Sequence, residues 1–205
     1  HESGHAIVAG AVEHADRVHK VSIVSRGFGA LGYTLQVPME DRNLMTRNEL
    51  RDKISTLLGG RAAEAIIFGD ISTGAANDLQ RTTGIARRMV REFGMSELIG
   101  NVSYSDDSDN QQMRVPGARP DYSDETAEAI DREVHDLIEN LYQRTLAILE
   151  KNRDLLDEMS EYLKENEVLD GDDLEEFIER VEPLDDKKEF DEGLAKPTPS
   201  ATGTS

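Results

Sequence analysis

Five residues, His1-Glu2-Ser3-Gly4-His5, constrain the fold more than any other stretch of the chain. The H-E-x-x-H spacing suits an α-helix, where residues four apart share a face and two imidazoles can aim at one metal ion. It predicts a helix that continues through Ala6 to Val12. Glu2 lies one residue round the same turn, where its carboxylate can reach a metal-bound water and take its proton. The metal, usually zinc, lowers that water's pKa to about 7. This is the working core of a zinc peptidase, whereas a chance match arises in roughly one random chain in a few hundred. A ligand at the first helical position would sit in a fraying turn with uncapped backbone donors. The expectation is therefore an N-terminally truncated domain whose upstream residues complete the helix.

At 205 residues the chain can bury one sizeable core, or a core with a helical appendage. The absence of cysteine excludes a disulfide scaffold, a thiolate metal site and a cysteine nucleophile. No run of about 18 apolar residues and no signal-peptide pattern occurs, so any membrane anchor is expected outside this segment. The net charge of -19 is uneven: residues 1–100 hold 12 Lys/Arg and 12 Asp/Glu, residues 101–205 hold 11 and 30. Such a surface repels phosphate backbones and anionic lipid, so neither nucleic-acid binding nor direct membrane docking is expected. The excess acid reads as solvation of long helix faces.

Val18 to Ser25 and Tyr33 to Val37 read as two strands around a turn at Gly27 to Gly32. Thr46 to Phe68 reads as a long helix, with Leu50, Ile54, Leu57, Leu58, Ala62, Ala65 and Ile66 at three- and four-residue steps. Its Gly59-Gly60 pair suggests close packing against another helix. After a small-residue loop at Ser72 to Asp78, helical spacing resumes from Leu79 to Phe93, with Gly94 as its C-cap. A polar loop is expected at 101–122 and a strongly amphipathic helix from about 123. Shorter helices follow at 154–165 and 171–181, the last capped by Asp170. The fold class is mainly α (α+β): a helical metallopeptidase domain over 1–182 with a small sheet next to the H-E-x-x-H helix. Residues 183–205 read as a disordered tail, acidic and then rich in Pro, Ser and Thr.

A catalytic zinc site needs a third protein ligand and an open position for water. His14 and His19 are too close to His5 in sequence to fold back easily, and His135 reads as solvated or ion-paired. Glu64, on a helix, and Asp78, heading one, are both suitable, and spacing alone does not separate them.

HESGH at 1–5, ALGYTLQVP at 30–38, LLGGRAAEAIIFGD at 57–70, STGAANDL at 72–79 and ARRMVREFGMS at 86–96 together resemble the FtsH family of membrane-anchored, ATP-dependent zinc metalloproteases. The second half of the chain resembles that family only in its helical, acidic character. The resemblance implies Zn2+ held by His1, His5 and Asp78, with Glu2 as the catalytic base and Glu64 orienting a ligating imidazole. It implies hydrolysis of unfolded or membrane-extracted polypeptides by a homo-hexamer, with ATP dependence and membrane attachment supplied by upstream segments outside this chain. The location implied is a bacterial, or organellar, inner membrane, with the bacterial peptidase domain on the cytoplasmic side. The alternative is a non-catalytic, peptidase-like assembly module. Two departures stand out: Ser3 replaces a commoner alanine on a turn expected to tolerate it, and Gln80-Arg81-Thr82-Thr83 stands where the family usually reads E-R-A-T, followed by Gly84, which weakens a helix interior.

Gly27-Phe28-Gly29-Ala30-Leu31-Gly32 matches the dinucleotide fingerprint G-x-G-x-x-G, but the residues after it read as a strand instead of the helix that a pyrophosphate needs. Nucleotide binding is not expected there. By family analogy, the edge of the neighbouring strand can receive an extended substrate backbone.

Overall fold

The computed structural model describes residues 1–25, 32–37, 44–104 and 122–184. Most of the expected polar loop at 101–122 and disordered tail at 183–205 lies outside the described residues, as do Gly27 to Leu31. The elements run α1 (Glu2–Ala11), β1 (Arg17–Ser22), β2 (Tyr33–Val37), α2 (Arg47–Phe68), a 3-10 turn (Thr73–Ala75), α3 (Ala76–Arg91), α4 (Asp124–Lys151), α5 (Arg153–Asn166), β3 (Val168–Asp170) and α6 (Gly171–Glu179). The architecture is mainly helical, with a small antiparallel sheet beside α1, as expected.

Helix α2 is the hub. Thr46 and Glu49 form a reciprocal capping box at its start, and Gly69 ends it in the left-handed region at φ 66°. Every residue from Ile54 to Gly60 is buried, because α1, α3 and α4 all pack on it. Helix α1 crosses it so closely that side chains at the crossing have no room. A Cβ on Gly4 would lie 2.4 Å from the Gly59 carbonyl oxygen, and one on Gly59 would lie 2.7 Å from that of Gly4. The expected close packing at the glycine pair is therefore backbone against backbone.

The sheet has the order β2-β1-β3, and β3 was not expected. Three residues between two helices are too few to show alternation, yet Leu169 is fully buried opposite Val21. Strand β1 carries a bulge at His19. Asp170 sits at the N-cap position of α6 but makes no side-chain cap bond. Its carboxylate instead accepts a hydrogen bond from Lys20 Nζ at 2.8 Å, which corrects the capping expectation. Gly94 lies beyond the cap residue Glu92, and its φ of 61° turns the chain away from α3.

Two apolar clusters flank the hub. Ile7, Val8, Val21, Ile148, Leu149, Leu156, Met159 and Leu169 join α1, the sheet and the C-terminal helices. Leu50, Ile54, Leu58, Met89, Ile130 and Leu141 join α2, α3 and the first part of α4. Asn152, buried between α4 and α5, donates to the Ile148 and Glu182 carbonyls and accepts from the Glu182 amide, tying down the chain after α6. Among the described residues no helix is long and apolar enough to cross a membrane.

Candidate metal centre

His1 occupies the N-cap position of α1, and His5 follows one turn later on the same face. Helix α2 orients both rings. The Nδ1 atom of His1 lies 2.7 Å from Glu64 Oε1, and that of His5 lies 2.8 Å from the Thr56 carbonyl oxygen. A carbonyl only accepts, so His5 carries its proton on Nδ1, and a carboxylate draws the His1 proton to the same ring position. Both Nε2 lone pairs are then directed away from α2, and the two atoms face one another at 3.2 Å.

The third group comes from α3. This helix begins at Ala76, three residues earlier than its apolar spacing predicts, which puts Asp78 in its first turn, where a carboxylate suits the helix dipole. Its Oδ2 lies 3.6 Å from His1 Nε2 and 3.4 Å from His5 Nε2. With both imidazoles neutral, three acceptor atoms thus converge with no proton donor among them. Their separations match the edges of a zinc tetrahedron, about 3.3 Å for bonds of about 2.0–2.1 Å, so this donor set fits a small divalent cation. Among the described residues these three form the one such group of metal-ligating side chains.

Without a cation, the charges compensate one another. The Asp78 carboxylate raises the pKa of His1, burial opposes the rise, and Glu64 adds to it. Burial alone would raise Asp78, but the His1 and His5 rings that face it, when they take up a second proton, outweigh this and hold it far below the usual carboxylate range. Burial would raise Glu64 too; the Ser72 amide and His1 together bring it below its ordinary value. Glu64 therefore braces the His1 ring from behind while its other oxygen, 2.8 Å from the Ser72 amide, anchors the segment leading to Asp78. The structure separates two residues that spacing could not: Asp78 faces both Nε2 atoms, and Glu64 faces an Nδ1.

Glu2 points toward β2, where the Thr34 hydroxyl donates to its Oε2 at 2.9 Å. Gly32 gives the carboxylate room, since a Cβ there would come within 2.9 Å of Glu2 Cγ and Oε1. The last glycine of the rejected fingerprint thus serves a steric purpose. Gly60 does the same for His1, because a Cβ would lie 2.5 Å from the ring's Cε1 and Nε2.

Sequence reasoning missed Thr34, the Thr56 carbonyl and this use of Gly60. Only the glycine pair left a signal. His14, in the turn after α1, is not among the metal-facing groups, as expected; its Nδ1 lies 2.8 Å from the buried carboxylate of Asp52, which Arg144 also engages at 2.8 Å. His19 is exposed on β1, and His135 is exposed beside Asp136, as its sequence setting suggested. Ser3 lies in the first turn of α1, where its hydroxyl has a partner. It is buried, and its hydroxyl donates at 3.2 Å to that of Ser160 of α5, whose own proton goes to the Leu156 carbonyl at 2.7 Å.

The model of peptidase family M41 matches residues 1–177. The chain belongs to peptidase family M41. This M41 chain is 48% identical over 183 residues to the ATP-dependent zinc metalloprotease FtsH of Syntrophobacter fumaroxidans, covering 88% of the chain and 28% of the relative. It is 46% identical to proteins of the same name from Thermotoga maritima (89% of the chain, 31% of the relative) and Ralstonia pickettii (100% and 30%). The resemblance carried by the five motifs is thereby borne out. The chain spans less than a third of the length of these relatives.

Proposed function

We propose that this M41 chain is the zinc endopeptidase domain of an ATP-dependent membrane protease. One observation carries the reading: two imidazoles with engaged Nδ1 atoms turn their Nε2 atoms toward each other and toward one carboxylate, with Glu2 beside them. In this reading His1, His5 and Asp78 hold the zinc, and Glu64 orients His1. Bound zinc supplies Lewis-acid polarisation of the scissile carbonyl and a water of lowered pKa. Glu2 takes the proton of the attacking water and later delivers it to the leaving amine nitrogen. The peptide bond is broken without a covalent link between protein and substrate.

The names of the relatives support zinc, ATP dependence and proteolysis, and their greater length leaves room for an ATPase module and membrane-spanning segments. The substrates proposed are unfolded or membrane-extracted polypeptides, received extended along β2 and cut within a homo-hexamer. The location proposed is the bacterial inner membrane, peptidase side in the cytoplasm.

Chelator-sensitive digestion of casein by the intact protease tests the reading. Glu2→Gln is expected to retain zinc and lose proteolysis by at least about a hundredfold, and retained turnover removes Glu2 from its role. Metal analysis separates the carboxylates. Asp78→Ala is expected to lose the metal, Glu64→Ala to bind it about 10- to 100-fold more weakly, and the reverse ranking exchanges their roles.

A further inference from the structure

We propose that Thr34 is the positioning residue for Glu2, fixing its carboxylate from the strand that lines the site. The inference rests on the reading of Glu2 as proton acceptor. Glu2 is the first residue of α1, at a helix end without a side-chain cap bond, so its three rotatable bonds gain little order from the helix itself. Two contacts from the chain around β2 supply that order. The Thr34 hydroxyl lies 2.9 Å from Glu2 Oε2 and 3.2 Å from the Glu2 carbonyl oxygen. A hydroxyl has one proton, and the shorter, charge-assisted bond to the carboxylate takes it. On the other side, the bare Cα of Gly32 receives Cγ and Oε1. One oxygen is thereby tied by a hydrogen bond and the other packs against the Gly32 Cα.

The donor is itself rigid. Threonine is β-branched and has few χ1 options on a strand, so the hydroxyl moves with the backbone of β2. That strand pairs with β1 at Thr34 opposite Val21, and it ends the order β2-β1-β3, so its outer edge has no strand partner among the described residues. A polypeptide added to that edge would be aligned by the same strand that holds the base. Binding and base orientation are then coupled through one side chain.

The test compares Thr34→Val, which keeps the shape and removes the hydroxyl, with Thr34→Ser, which keeps the hydroxyl, both in the intact protease. For a short fluorogenic peptide, Thr34→Val is expected to lower kcat about 10- to 100-fold, with zinc content unchanged and KM within about twofold. Thr34→Ser is expected to restore most of kcat. A crystal structure of the Val variant is expected to show the Glu2 carboxylate turned away from β2. The proposal is overturned by unchanged kcat in Thr34→Val, by Ser failing as badly as Val, by loss of zinc accompanying the loss of kcat, or by a carboxylate that stays in place. If the wild-type protease shows no chelator-sensitive hydrolysis, the functional reading fails, and the crystal comparison still decides whether Thr34 holds Glu2.

Discussion

Gly60 shows how narrowly single residues set the centre. The His1 ring lies where a Cβ at residue 60 would be, 2.5 Å from two of its atoms, and the buried helix beneath cannot yield without moving Gly59 off Gly4. Gly60→Ala is therefore expected to displace His1 and weaken zinc binding at least about tenfold, despite alanine's better helix propensity. Metal titration checks this, and wild-type affinity would show that the ring finds another path. The metal-free centre also sets a pH dependence. The pKa of His1 is raised above 6.5, so its contribution to stability is complete below 6.5 and is lost as pH rises through the raised value. Asp78 and Glu64 are lowered from 3.8 and 4.5, so theirs hold above those values and fade only in stronger acid. Chelator-treated protein is expected to melt at a higher temperature near pH 6 than near pH 8. Zinc competes with the His1 proton, so it should stabilise most at the higher pH. An equal or greater gain from zinc near pH 6 would contradict the linkage.

At the scale of elements, α3 carries an avoidable weakness. Gly84 lies in its interior, and nothing lies within 4 Å of where its Cβ would be. Gly84→Ala is expected to raise stability by about 1 kcal/mol, read from denaturant unfolding, and to leave metal affinity unchanged. A loss of stability would mean that residue 84 meets a neighbour in the assembled protein. The same helix shows what a sequence can and cannot tell. Its body is legible because Ile85, Met89 and Val90 recur at helical spacing, whereas its first turn, Ala76-Asn77-Asp78, has the composition of a loop. That turn is helical because the 3-10 turn, capped by the Ser72 hydroxyl, delivers the chain to it in register. Helix α2 was legible to within a residue from the three- and four-residue steps of its apolar side chains. The centre was legible in part, since the two histidines and Glu2 share one turn. Its third corner was not: the choice between Glu64 and Asp78 depends on which side of the His1 ring each carboxylate meets, a fact of packing between helices that spacing does not encode.

At the scale of the whole molecule, one buried carboxylate joins elements that the metal centre needs in fixed relation. Asp52 of α2 is 4% exposed; its Oδ1 accepts from Arg144 of α4, and its Oδ2 accepts from the His14 backbone amide just past α1 and lies beside the His14 ring. One turn along α2, the Thr56 hydroxyl donates to the Asp52 carbonyl, and the Thr56 carbonyl holds His5. The clamp that fastens α1 and α4 to the hub is thus one helical turn from a metal-facing ring. Removing Arg144 alone would strand a buried carboxylate with one partly exposed histidine, and Arg144→Met is expected to cost about 3 kcal/mol. Asp52→Asn in the Arg144→Met background should recover part of that loss, because it removes the stranded charge and leaves the packing in place. Urea unfolding of the two variants decides the point. If Arg144→Met costs under about 1 kcal/mol, water or His14 already satisfies Asp52 and the clamp is a surface pair of little weight. If the full cost appears without rescue by Asn, Arg144 acts through its packing on α2 instead of through its charge.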